Sequence, residues 1–374
     1  MNPARSSARS LDTQPRLVVQ AWLGSRALIA IVVVWQMVRH DVPFETLAGR
    51  WDVSHYADIA TRGYVNSLDV AFFPGLPALL RAGVNLGLPI PITGVLLGLV
   101  GSALAAAAVY RLSGAVAASL WLIAPTTVFT AFGYTEAVFC AAGFWAWERA
   151  RAGQWAAAGA LAGIACTFRV SGLFLLGALG LLAISQAWRQ RDAVADLLRR
   201  CVWLLIPVAV LAGYVIYLHE LTGSWTAWLD AQNQGWSRRL TNPMDAWRNT
   251  MAAANPASWP GRREVSWVFR AELVSMAVGL VTTFWCLAKR RVPEAGWVGV
   301  QVLAFATSHW FMSVNRAVLL WFPTFAMLAA GVQWRPRSGP VVRGWRFLVG
   351  VAVAIDLALM MVWAWLFITG RWAS

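Results

Sequence analysis

About eleven apolar runs divide this chain, each long enough to cross or nearly cross a ~30 Å hydrocarbon layer, and no other feature restricts its fold so tightly. They fall at about 17–38, 94–111, 114–132, 134–149, 153–169, 171–187, 201–219, 266–288, 294–311, 317–333 and 344–368. Composition agrees, since 59% of the 374 residues are hydrophobic and only 13% are charged. A single soluble core stops growing near ~250–300 residues, and burying this much apolar side chain would leave little to face water. The expectation is an all-α polytopic integral membrane protein, one membrane-embedded unit over 1–374 with about eleven transmembrane helices. A disordered chain and an ordinary soluble enzyme are excluded. The first run follows Arg5, Arg9 and Arg16, yet it is longer than a signal-peptide core and no small-residue cleavage site follows, so it reads as a retained anchor.

The net charge of +14 comes from 31 basic residues, all Arg except Lys289, against 17 acids. The Arg residues form short clusters at the ends of apolar runs rather than one continuous face, which is the pattern of topology signals and not of a nucleic-acid footprint. With a cytoplasmic N-terminus, alternate connections are the basic ones: Arg111, Arg149 with Arg151, Arg189 to Arg200, Lys289 to Arg291, and Arg335 to Arg346. Most acids then fall in two long outer loops, about 39–93 and 220–265. All four cysteines (Cys140, Cys166, Cys201, Cys286) lie in apolar runs with no CxxC pair and read as buried thiols.

Residues 72–88 are apolar, but Arg81 sits mid-run with Pro74 and Pro77 near its start, and counting them as a span inverts every later loop. A mid-membrane charge costs roughly 2.5–3.5 kcal/mol on insertion scales, so this stretch reads as a re-entrant or interfacial helix in the first outer loop. Ahead of it, helical register from Asp52 places His55, Tyr56 and Ile59 on one face, with Gly63 stopping the helix in a left-handed cap. Asp52 can be a helix cap, with Trp51 and Tyr56 as interface anchors, or these residues can form a site.

The run Arg50-Trp51-Asp52-Val53-Ser54-His55-Tyr56-Ala57-Asp58-Ile59-Ala60-Thr61-Arg62-Gly63-Tyr64, followed by Ala71-Phe72-Phe73-Pro74-Gly75-Leu76-Pro77, resembles the signature of the PIG-V (GPI mannosyltransferase II) family and its bacterial relatives, which are GT-C glycosyltransferases. Further pieces agree in order: Ala124 to Phe129, Gly133-Tyr134-Thr135-Glu136, Phe168-Arg169-Val170-Ser171-Gly172, Gly223-Ser224 with Ala231-Gln232 and Trp236, and a weaker match at His309-Trp310 and Arg316. The likeness covers about 15–335 and departs from the family pattern at Val170-Ser171, where a Ser-Asn pair is expected. It implies a GT-C architecture and mannosyl transfer from a polyprenyl-phosphate-mannose donor on the outer side of the membrane. The implied catalytic acid of the first outer loop falls on Asp52. The positions it marks for substrate binding are Arg50, Trp51, His55, Tyr56, Arg62, Phe73, Tyr134, Glu136, Arg169, Gln232, Trp236, His309 and Arg316.

Such a transfer needs few protein groups. The leaving phosphate requires no proton donor, so one base and some cations suffice, unlike a glycosidase with its carboxyl pair. Asp52 is the candidate base, with Asp58 and Glu136 as backups; Glu136 can equally be the salt-bridge partner of Arg169. Arg50, Arg62, Arg81, Arg169 and Arg316 are the basic residues that cytoplasmic retention does not explain, and a guanidinium offers a bidentate fork to phosphate. In the second outer loop Trp225, Trp228, Trp236, Trp247 and Trp259 stand among Asp230, Gln232, Asn233, Arg238 and Arg239, which fits a sugar or glycolipid headgroup and an interfacial loop alike.

No Walker, GxGxxG, nucleophile-elbow or HExxH pattern occurs, and the acids form no tight DxD, so no cofactor and no required metal are expected. The expected partners are the lipid donor, a glycolipid or glycoprotein acceptor and membrane lipid, with no nucleic acid and no protein partner specified. Two alternatives stay open: a GT-C transferase for another polyprenyl-phosphate sugar, and a transporter or flippase of lipid-linked sugars, although no internal repeat is found. The preference for Arg over Lys points to a bacterial plasma membrane.

Overall fold

The computed structural model describes residues 14–191, 193–334 and 339–373, so Arg5, Arg9 and Arg335 of the topology clusters lie outside the described residues. All regular elements among them are helical. In order they are α1 (Pro15–His40), α2 (Phe44–Ala48), α3 (Asp52–Arg62), α4 (Gly75–Asn85), α5 (Ile90–Ile123), α6 (Thr135–Arg151), α7 (Trp155–Cys166), α8 (Ser171–Gln190), α9 (Val194–Trp203), α10 (Leu205–Thr222), α11 (Ala227–Trp236), α12 (Pro243–Ala253), α13 (Arg263–Ala288), α14 (Val292–Ala306), α15 (Val314–Ala317), α16 (Phe322–Val332) and α17 (Gly339–Ile368).

Each of the eleven apolar runs falls on a helix or a broken helix, but they differ in reach. Among the described residues, six helical segments are long and apolar enough to cross a membrane, or seven if the bent pair Val314–Leu320 and Phe322–Val332 is one span. The protein is thus a multi-pass membrane protein. The 12-residue α7 and 15-residue α14 rise only about 18 and 22 Å, short of ~30 Å by themselves.

Two breaks have local causes. Within α5, Gly114 adopts φ 88°, ψ 173° and kinks the 34-residue element, dividing it into two helices. The run expected at 114–132 stops being α-helical at Ile123, because Pro125 drives Ala124 to an extended conformation (φ −53°, ψ 147°). Residues 124–134 continue as a buried, mostly non-helical segment with a single 3₁₀ turn at Thr127–Thr130. Non-helical backbone at this depth is tolerable only inside protein. Arg26 satisfies part of it, donating from Nη1 to the carbonyl of Thr127 at 3.4 Å, while its Nη2 donates to Thr130 Oγ1 at 2.8 Å.

The bend after α15 is held the same way. Its helices meet at 77°, and the carbonyls of Leu319 and Leu320 accept the indole N–H groups of buried Trp121 (2.8 Å) and Trp297 (3.0 Å).

A stripe of small residues sets where α6 begins. Gly94, Gly98 and Gly101 lie on one face of α5, and a Cβ on each would sit 2.8–2.9 Å from the backbone of Gly133, Ala131 and Ala137 respectively. That close approach seats the segment leading into Glu136 deep in the bundle.

The 72–88 stretch forms α4, an 11-residue helix rising about 16 Å, too short to span. Leu76, Pro77, Leu80 and Gly83 are buried while Arg81 is exposed, in keeping with a short helix that packs one face on the bundle and does not span. Ahead of it, α3 runs from Asp52 to Arg62 as expected and ends at Gly63. That glycine has φ 80°, ψ −168°, a glycine-only conformation distinct from the left-handed cap.

Candidate active site

The residues at the start of α3 meet segments from several other parts of the chain. A cavity of about 110 Å³ there is lined by Asp52 and Tyr56 of α3, Phe72 and Phe73 before α4, and Phe168 and Arg169 before α8. Trp228, Gln232 and Trp236 of α11, then Arg238, Ser313 and Arg316, complete the wall.

Electrostatics organise it. Arg316, largely buried, donates from Nη1 to Asp52 Oδ2 at 3.0 Å and from Nε to Glu136 Oε1 at 2.8 Å. Arg169 reaches the same Glu136 oxygen at 2.5 Å and Thr135 Oγ1 at 3.1 Å. Glu136 is completely buried behind the cavity wall. It is the shared counter-ion that lets two guanidinium groups stand together, so the partner reading of Glu136 accounts for its place. The Arg316 guanidinium also lies 4.8 Å from the ring centres of Phe129 and Tyr134.

A third cation, Arg238, donates to the carbonyl of Met312 at 3.4 Å. Burial, then the nearby charges of Arg316 and Arg169, push its pKa down to about 10. It remains a cation at neutral pH, and a bound anion would relieve that stress. Three Arg against Asp52 in the lining leave the cavity positive. Tyr56 is a donor here rather than a base: burial first, then Asp52 and Glu136, raise its pKa.

Behind the lining, His55 Nδ1 lies 2.9 Å from Oδ1 of buried Asp69, and its ring stacks on Phe72 at 4.8 Å between centres. Trp236 meets Phe72 edge-on at 5.4 Å, and the indole of Trp228 and amide of Gln232 both donate to the carbonyl of Ala71 (3.1 and 3.3 Å). The 220–265 loop is therefore clamped onto the 39–93 loop.

Of the positions marked from sequence, Asp52, Tyr56, Phe73, Arg169, Gln232, Trp236 and Arg316 line the cavity. His55, Tyr134 and Glu136 stand directly behind it; the Tyr134 hydroxyl accepts the backbone N–H of Asp52 at 3.2 Å. Four do not reach it. Arg62 pairs with Asp58 at 2.7 Å, i to i+4 on the exposed face of α3, which also removes Asp58 from contention as the base. Arg50 is turned toward Gly370 near the C-terminus. Trp51 adopts φ 60°, ψ −136° as the residue before α3 and is absent from the lining. His309 lies beside Asn249, at 3.2 Å from Nδ1 to Nδ2. Asp69, Glu272 and Asn315 were not singled out from sequence. Glu272 had one available signal, a lone carboxylate inside an apolar run; Asp69, in a polar loop, had none. Among the described residues no group of three or more His, Cys, Asp or Glu is placed to hold a metal.

The fold and the cavity define a class: an all-α, multi-pass membrane protein with a buried carboxylate–arginine site closed by its own loops. Over part of its length the chain is similar to GPI alpha-1,6-mannosyltransferase 2. The mouse (Mus musculus) protein is 36% identical over 147 residues, 34% of this chain and 30% of that one. The rat (Rattus norvegicus) and Cricetulus griseus proteins are each 34% identical over the same length. The match spans about a third of this chain and 30% of the length of these curated relatives. No family model matches. Among solved structures, a crystal structure of ArnT from Cupriavidus metallidurans bound to undecaprenyl phosphate aligns with TM-score 0.49 at 14% identity, covering 94% of this chain and 70% of that one.

Proposed function

We propose that this protein is an inverting mannosyltransferase of GT-C architecture. It transfers mannose from polyprenyl-phosphate mannose to a glycolipid or glycoprotein acceptor on the extracytoplasmic side of a bacterial plasma membrane. The observation that carries the reading is the meeting of Asp52 with Arg169, Arg238 and Arg316 in one cavity. Sequence similarity to mannosyltransferases supports the choice of sugar.

The geometry suits a one-step displacement. Arg316 holds the Oδ2 oxygen of Asp52, and a carboxylate has two oxygens with which to accept an incoming hydroxyl. As the acceptor oxygen bonds to the anomeric carbon, Asp52 takes the hydroxyl proton. The bond from that carbon to the phosphate oxygen breaks, and its electron pair leaves with the lipid phosphate. The three guanidinium groups stabilise the charge that grows there, in a partly buried site, and can supply the cations without a metal. The aromatic wall of Phe72, Phe73, Trp228 and Trp236 offers faces for a sugar ring.

Asp52→Asn tests this. Asn keeps an acceptor for Arg316 but cannot take the proton, so the purified variant should bind polyprenyl phosphate and transfer no mannose from the lipid donor. Transfer at the wild-type rate removes Asp52 as the base, and wild-type protein that prefers another polyprenyl-phosphate sugar in competition overturns the assignment of mannose.

A further inference from the structure

Arg316 owes its place to a turn that is gripped from outside the cavity by one face of α13. Val268, Glu272 and Ser275 are spaced four and three residues apart, a single stripe of that helix. Glu272, fully buried, accepts the backbone N–H of Ser313 with Oε1 at 2.9 Å and that of Asn315 with Oε2 at 2.8 Å. Ser275 Oγ donates to Asn315 Oδ1 at 2.8 Å, and Asn315 Nδ2 donates to the carbonyl of Val268 at 3.3 Å. From the other side Thr126 Oγ1 donates to the carbonyl of Asn315 at 3.0 Å.

The turn needs such a grip. Ser313 has φ 68°, ψ 17°, a left-handed conformation that a residue with a Cβ adopts at a cost, and the following four-residue helix α15 is too short to hold itself. The two N–H groups taken by Glu272 belong to Ser313 and to the residue immediately before Arg316.

We infer that Glu272 is a positioning residue for the transfer reaction: it fixes the left-handed turn that holds Arg316 between Asp52 and Glu136, and thereby places the Arg316 guanidinium for the departing phosphate. The reaction named rests on the transferase reading above; the grip on Arg316 does not. A carboxylate is the suited group because both of its oxygens accept, whereas an amide offers one acceptor and turns an NH₂ toward the second N–H.

The test uses the full-length protein in lipid nanodiscs with Glu272→Gln, Arg316→Lys and the double variant. Two quantities are measured: transfer from polyprenyl-phosphate mannose, and equilibrium binding of sugar-free polyprenyl phosphate. Glu272→Gln should lower kcat/KM on the order of 10²-fold, the scale of a roughly 1 Å misplacement of a reacting group. The double variant should be little worse than Arg316→Lys alone in both readouts, because the two changes remove one effect. A purely structural Glu272 would give losses that multiply, and that result, or wild-type kinetics in Glu272→Gln, overturns the inference. Ser275→Ala, a smaller change to the same turn, guards against a misfolded Glu272→Gln and should lose activity several-fold without compounding with Arg316→Lys. Thr283→Ala, which breaks only a bond to the carbonyl of Gly279 within α13, should leave both readouts unchanged. If wild-type protein transfers no polyprenyl-phosphate sugar, the transferase reading fails and the binding comparison alone decides the role of Glu272.

Discussion

Replacing Glu136 with Gln separates the anchoring role of this residue from a catalytic one. Its side chain is 0% exposed, and its partners Arg169 and Arg316 are 17% and 9% exposed, so neither ion pair is screened by water. Neutralising one member of a buried pair costs about 3–5 kcal/mol, because the remaining charge is left uncompensated. Here two guanidinium groups lose one counter-ion together. Gln keeps an oxygen that accepts one of their N–H groups, which places it near the lower end, about 3 kcal/mol, with Glu136→Ala nearer the upper end. One kcal/mol moves Tm by about 2–4 °C at 150–250 residues and less in a longer chain, so the expected drop is on the order of 5 °C. Thermal unfolding of purified protein, followed by intrinsic fluorescence from its 24 Trp, reads this directly. Asp52→Asn is the control: that carboxylate is 23% exposed, keeps an acceptor for Arg316 when amidated, and should shift Tm far less. Glu136→Gln that unfolds at the wild-type temperature yet is inactive would refute the reasoning, since that is the behaviour of a catalytic carboxylate and not of an anchor.

Other consequences follow from the cavity and the packing around it. Arg238→Ala removes a cation that lies near Asp52 and Glu272 but forms no direct ion pair with an acid among the described residues, so it should weaken polyprenyl-phosphate binding about tenfold or more with little change in Tm, as read by equilibrium binding at several salt concentrations. Arg169→Ala should weaken binding similarly but also destabilise the fold, because it strips Glu136 of one of its two partners. Gly75 packs against the 167–168 turn, and a Cβ there would meet the Thr167 carbonyl at 2.7 Å and Phe168 at 2.8 Å. Gly75→Ala should therefore cost about 1–3 kcal/mol by overpacking and lower kcat/KM through Phe168, which a combined unfolding and transfer assay will show.

How much of this was legible beforehand depended on distance along the chain. The Asp52 helix, its end at Gly63 and the short α4 could be read in advance because each is set by residues within one or two turns. The early end of the 114–132 run was legible too, in Pro125, although the apolar pattern concealed it. Which arginines line the cavity was not legible: Arg50 and Arg62 sit near Asp52 in sequence but point elsewhere, whereas Arg238, from a distant loop, lines the cavity.

The amino-acid sequence by itself determined that the chain is a helical, multi-pass membrane protein with Asp52 at the start of a short amphipathic helix. Long apolar runs leave lipid-facing helices as the way to satisfy their backbone, and that requirement is local. Only the tertiary structure decided what Asp52 faces. Its partner Arg316 is 264 residues away, Arg316 meets Glu136 across 180, and the Glu272 that grips the Arg316 turn comes from a fourth helix. Those pairings follow from which small residues let helices approach and which buried charges need a counter-ion, conditions that exist only once the helices are packed.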